Sequence, residues 1–225
     1  MSKRIAKVLL GILLVPFCLG FTWQFGVTMA SGTYKPETPY FFLAGGLAYL
    51  TVHLLFKRPI FTYVIAHELT HALFAMLFGG SVKSLHASQR GGKVTVTKSN
   101  FIITLAPYFF PLYTFIAIVL YGAALAAKAG PAAINLLVVL GGAAFTFHLV
   151  LTMTFLRTDQ SDIIEHGTLF SYPLIYLFNI AFAALLIDIY LVSDMDYLRF
   201  LMGGIMKSMN LIMQAMTKAS VLIGR

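Results

Sequence analysis

An all-α polytopic membrane protein of about six transmembrane helices, with one β-hairpin and a C-terminal amphipathic helix, is the fold this sequence predicts. Three observations carry it. Of 225 residues, 59% are hydrophobic and only 11% charged, and mean hydropathy is +0.86, a composition foreign to soluble domains. Apolar runs long enough to cross a hydrocarbon core of roughly 30 Å follow one another with short polar breaks. In the longest polar break, Lys93-Val94-Thr95-Val96-Thr97-Lys98 alternates polar and apolar with β-branched residues, the period of a strand.

The first span is expected over Ile5–Ala30, behind Lys3, Arg4 and Lys7, and read as uncleaved because no small-x-small cleavage site stands out. A loop with Pro36 and Pro39 leads to the second span, Phe41–Phe56. Lys57-Arg58-Pro59 turns the chain into the third, Ile60–Phe78, which Gly79-Gly80 ends. The hairpin follows, with Val82–Ser88 and the Lys93–Lys98 run as strands and Gly91-Gly92 as the turn. A fourth span, Phe101–Ala127, is expected to kink at Pro107 and Pro111. The fifth is Ala132–Leu156 and the sixth Thr168–Val192, separated by a polar interruption, Arg157–Gly167, dense in ionisable residues. From Asp194 onward Met202, Met206, Met209, Met213 and Met216 recur at steps of four and three, one face of a helix, with Lys207, Lys218 and Arg225 off that stripe. Such a helix either lies in the membrane surface or offers an adaptable contact to a partner protein. The chain thus reads as one transmembrane domain, 1–193, followed by an amphipathic helix, 194–225.

Net charge is +8 with a pI near 9.6. The basic residues cluster at span ends and in loops, where positive-inside topology and anionic lipid account for them, so nucleic acid is not an expected partner. With the N-terminus inside, the sixteen Lys and Arg divide ten inside to six outside, and the hairpin's Lys83, Arg90, Lys93 and Lys98 fall outside. The single Cys18 leaves no internal disulfide and no cysteine-based metal site. The expected location is a multi-pass position in the cell membrane.

The chemistry concentrates in Ala66-His67-Glu68-Leu69-Thr70-His71-Ala72, an H-E-x-x-H pattern inside the third span. Residues four apart share a helix face, so His67 and His71 present two imidazoles one turn apart, suited to one zinc ion. Glu68 is then placed to activate a water as general base. Ionisable groups in mid-span cost about 2.5–3.5 kcal/mol each on insertion scales, which argues for a function rather than chance. A catalytic zinc takes three protein ligands and one open position. Asp162, Asp159, His148 and Asp188 are candidates for the third, and spacing alone leaves them open. Asp162 reaches the metal only if Arg157–Gly167 dips into the bundle.

The metal helix, the Gly-Gly stop, the hairpin, the proline-containing span and a late Asp together resemble the site-2 protease class of intramembrane zinc metalloproteases, in a small form without a PDZ domain. The resemblance covers roughly residues 60–190. Gln160-Ser161-Asp162-Ile163 is similar to the polar-Ser/Thr-Asp-apolar element of compact members, which makes Asp162 the implied third ligand beside His67 and His71. Leu105-Ala106-Pro107 stands where many members have Ala-Gly-Pro, and their Leu-Asp-Gly and Asn-Pro-x-x-Asp-Gly ligand motifs are not found. The resemblance implies a Zn2+-dependent metallopeptidase that cuts membrane-anchored protein substrates, with Glu68 as general base. A non-catalytic membrane scaffold or assembly factor keeping the same fold is the alternative, and a metal transporter using His53, His67, His71, His148 and Asp188 is a third.

Overall fold

The computed structural model describes residues 3–223, and Arg225 lies outside them. In chain order the elements are α1 (Lys3–Ser31), α2 (Thr38–Leu55), α3 (Ile60–Leu77), β1 (Val82–Ser88), β2 (Gly91–Val96), α4 (Phe101–Leu105), α5 (Leu112–Ala126), α6 (Pro131–Phe155), α7 (Ser161–His166), α8 (Thr168–Leu186) and α9 (Tyr197–Ile223). Among the described residues five helices, α1, α2, α3, α6 and α8, are long and apolar enough to cross a membrane. A sixth crossing is made if α4 and α5, bent by 78° at their junction, act as one span. The mostly helical membrane fold with one small hairpin is therefore as expected.

The chain divides into two compact units. The larger, residues 36–162, holds α2 to α6 and the start of α7. Here α2 and α6 approach closely because glycines face backbone. A Cβ on Gly142 would collide with the Phe42 carbonyl oxygen, and one on Gly45 with that of Val139. Beside this contact Tyr63, Phe147 and Leu151 form a buried cluster, with Tyr63 stacked on Phe155 at 4.6 Å between ring centroids.

Helix α3 ends in a Schellman turn. Gly79 takes φ +73°, its N–H donates to Met76 O (2.9 Å), and the Gly80 N–H reaches back to Ala75 O (2.8 Å). The Lys98 ammonium donates to Phe78 O (3.2 Å), a cation at the negative helix end that also fastens the hairpin there.

Two sequence expectations need correction. The hairpin turn is Gln89-Arg90, because Gly91 and Gly92 are already paired with Ser88 and Ala87. Ser88 Oγ fixes it by donating to Gly91 O (2.8 Å) and accepting from Arg90 N–H (3.2 Å). The fourth span is broken rather than kinked. After α4 the chain makes one turn of 3-10 helix, Ala106–Tyr108, and restarts behind Pro111. Prolines at 107 and 111 remove two amide donors within one turn, which a continuous helix does not tolerate. A further feature, the short helix α7, arises within the polar interruption that carried no helical expectation.

The second unit, residues 1–35 and 163–225, packs α1 against α8 and α9. Gly20 sits against Ser208, Phe21 meets Phe200 edge-on at 5.8 Å, and Lys207 donates to Gln24 Oε1 (2.7 Å). Helix α8 continues through a π-type turn, Ile187–Leu191, where the Lys35 ammonium donates to Ile189 O (2.8 Å). The methionine stripe of α9 is exposed.

Candidate metal centre

Helix α3 supplies the first two donors as the four-residue spacing requires. Its buried face carries Tyr63, Val64, Glu68, Ala72 and Ala75, with His67 and His71 at the margin of that face. The two Nε2 atoms lie 3.2 Å apart. Helix α7, opening with Ser161-Asp162, brings Asp162 Oδ2 to 3.4 Å from His67 Nε2 and 3.5 Å from His71 Nε2. Among the described residues, His67, His71 and Asp162 are the group whose donor atoms converge well enough to hold a metal. The polar interruption does reach the histidine pair. Asp159 is exposed, His148 is buried on α6, and Asp188 belongs to the other unit; none is in the group.

The donor set fits zinc. Ligand bonds of 2.0–2.2 Å at tetrahedral angles put neighbouring donors about 3.3 Å apart. The three observed separations are 3.2, 3.4 and 3.5 Å. Protonation agrees. His71 Nδ1 lies 2.9 Å from the Ile103 carbonyl, which only accepts, so Nδ1 carries the proton and neutral Nε2 turns a lone pair to the group. Asn100 places that carbonyl by capping α4, its side chain accepting from Ile103 N–H (2.9 Å), an arrangement worth about 1 kcal/mol.

Asp162 is oriented from above. The Tyr108 hydroxyl donates to its Oδ2 (3.1 Å) and lies 3.3 Å from Gln160 Oε1. Tyr108 is fully buried, and its ring stands edge-on to His67 with centroids 5.1 Å apart.

Glu68 is buried under β2. The Val94 backbone hydrogen-bonds its carboxylate, and Gly92 lies directly over its side chain. In the hairpin Leu85/Val94 and Ala87/Gly92 pair on one face, His86/Lys93 and Ser84/Thr95 on the other, so the face of small and apolar residues turns to α3.

Sequence reasoning missed Tyr108, the Ile103 carbonyl and Gly92. Tyr108 had one usable signal, an aromatic hydroxyl directly after Pro107. A backbone carbonyl has none.

A mostly helical chain with five to six candidate membrane-spanning helices among the described residues thus carries an H-E-x-x-H helix with a carboxylate beside its two histidines. The sequence model of the Peptidase M50B-like family matches residues 40–203, most of the chain and all of these residues. The chain belongs to that family, the site-2 protease family. The comparisons with curated proteins and with solved structures give no match. Membership suggests a metallopeptidase acting within a membrane, and the long apolar helices accord with an integral membrane protein.

Proposed function

We propose that this protein is a zinc-dependent intramembrane protease that hydrolyses peptide bonds of membrane-anchored proteins. His67, His71 and Asp162 would hold the metal, and Glu68 would be the general base. The observation that carries the proposal is the convergence of three donor atoms at separations of 3.2–3.5 Å, with a buried carboxylate one residue from the first of them.

Zinc bound there supplies Lewis acidity, polarising the scissile carbonyl and acidifying a water. The chain's residues do the rest. Glu68 accepts the water proton as the water oxygen bonds to the carbonyl carbon, and gives a proton to the leaving nitrogen as the C–N bond breaks. Its burial beneath β2 keeps the carboxylate on the protein side of the reacting group. A helical span is a poor substrate because its peptide groups are bonded within the helix. The hairpin has unpaired backbone edges that suit strand addition by an unwound segment, which would deliver an extended peptide beside Glu68.

The test is Glu68→Gln. Membranes bearing wild-type protein should yield new protein N-termini within or beside hydrophobic segments, read by terminal labelling and mass spectrometry. Those termini should vanish in Glu68→Gln while zinc content stays near one per chain. The same termini in both would remove the proposed role of Glu68. None in either, with zinc retained, would favour a non-catalytic scaffold.

A further inference from the structure

The two histidines of α3 are supported unequally. His71 Nδ1 has the Ile103 carbonyl. His67 Nδ1 is fully buried, and no protein group among the described residues hydrogen-bonds it. If Nε2 of His67 faces the metal, Nδ1 must carry the proton, leaving a buried donor that calls for a partner. His67 also lines a small cavity within the larger unit, together with Tyr63, Thr70, Pro111, Phe147 and His148 among others. It has room for about one water molecule.

Thr70 Oγ1 donates to Ala66 O (2.7 Å) and the Tyr113 hydroxyl to Thr62 O (3.0 Å), while the Tyr63 hydroxyl lies 3.5 Å from Thr152 Oγ1. His148, buried on α6, brings an imidazole to the same cavity, and a neutral imidazole offers one acceptor nitrogen.

We infer that His148 is a positioning residue for His67, acting through one ordered water in this cavity. The water accepts from His67 Nδ1–H and donates to the His148 imidazole. It thus fixes the tautomer and ring plane of His67, as the Ile103 carbonyl does directly for His71. Helix α6 thereby takes part in the metal centre without supplying a ligand. The inference rests on the proposed metal centre.

The test is zinc affinity, measured by chelator competition on full-length protein purified in detergent, with thermal unfolding followed in parallel. Loss of such a supporting hydrogen bond commonly weakens metal binding about 10–100-fold. His148→Ala should fall in that range, and His148→Gln, which keeps an acceptor, should recover most of the loss. Ala144→Leu fills the cavity from its lining, and should weaken binding as His148→Ala does. Ala144→Val serves the same purpose should the leucine variant unfold. Wild-type affinity in His148→Ala overturns the inference. So does a weak His148→Ala beside an unaffected Ala144→Leu, which would make the contribution of His148 one of direct packing. A wild type that binds no zinc, or a His67→Ala that binds as well as wild type, overturns the metal centre itself.

Discussion

Gly92 lies against Glu68 so closely that a Cβ at residue 92 would come within 2.5 Å of Glu68 Cγ and 2.6 Å of Oε1. Gly92 lacks the positive φ of its neighbour Gly91, so its glycine answers to space and not to backbone conformation. Gly92→Ala should push the Glu68 carboxylate aside and lower peptide-bond cleavage by roughly 100-fold, the scale of a misplacement near 1 Å. Zinc content should not change, because Glu68 is not among the proposed ligands. Gly91→Ala is the control. It strains a φ of +138° but meets nothing within 4 Å, so it should disturb the hairpin turn and not Glu68 directly. Equal activity in Gly92→Ala and wild type would refute the contact's catalytic importance.

Tyr108→Phe removes the hydroxyl that donates to Asp162 and keeps the ring that packs edge-on against His67. Zinc affinity should fall on the order of tenfold, the lower end of what losing a ligand-orienting hydrogen bond costs. Chelator competition measures it. A parallel Tyr108→Leu, which also loses the ring, should lower the unfolding temperature as well. If Tyr108→Phe binds zinc as wild type does, the hydroxyl does not orient Asp162.

These residues mark how far the sequence could be read. His67 and His71 were legible because a helix has a fixed period, and the same period put Glu68 on the adjoining, buried face. Asp162 came from resemblance and not from spacing: it is remote in sequence, and only a dip of the Arg157–Gly167 segment brings it to the pair. Spans were legible to within a few residues because hydropathy sets them. The break at residues 106–111 was misjudged because each proline alone suggests a kink, whereas two within one turn leave too few amide donors to continue. The hairpin turn was placed on the wrong residues because Gly-Gly is a strong turn signal, while a local Ser88 hydroxyl network is a weak one. Ile103 contributes through its carbonyl, an atom every residue shares, so no side-chain pattern could have singled it out.

The α2–α6 contact gives a stability prediction independent of the metal. At Gly142 and Gly45 the obstacle to a side chain is the facing helix's backbone carbonyl, which cannot rotate away. Gly142→Ala should therefore destabilise the protein by at least the 1–3 kcal/mol typical of overpacking, although alanine is the better helix former. Gly122→Ala on α5, where nothing lies within 4 Å, should be neutral or slightly stabilising. Intrinsic-fluorescence melting in one detergent reads both. A Gly142→Ala melting point equal to wild type would mean that the helices separate at little cost.

In the smaller unit Asp194 ties the end of α1 to the segment after α8. Thr33 N–H donates to its Oδ1 (2.9 Å) and Thr33 Oγ1 to its Oδ2 (2.7 Å). These bonds hold the exposed Asp194 carboxyl below its ordinary value. A carboxylate whose folded pKa is depressed stabilises the fold above its unfolded pKa, about 3.9, and that contribution is lost as pH falls through the folded value. Asp194→Ala should accordingly melt below wild type at pH 7, and the gap should narrow as pH drops from 5 towards 3. Asp194→Asn separates charge from hydrogen bonding. It can accept only one of the two bonds through its amide oxygen, so its melting point should lie between the other two at pH 7 and vary less with pH than that of wild type. A wild-type-to-alanine gap that is constant from pH 7 to 3 would show that the Thr33 bonds do not distinguish the carboxylate from the acid.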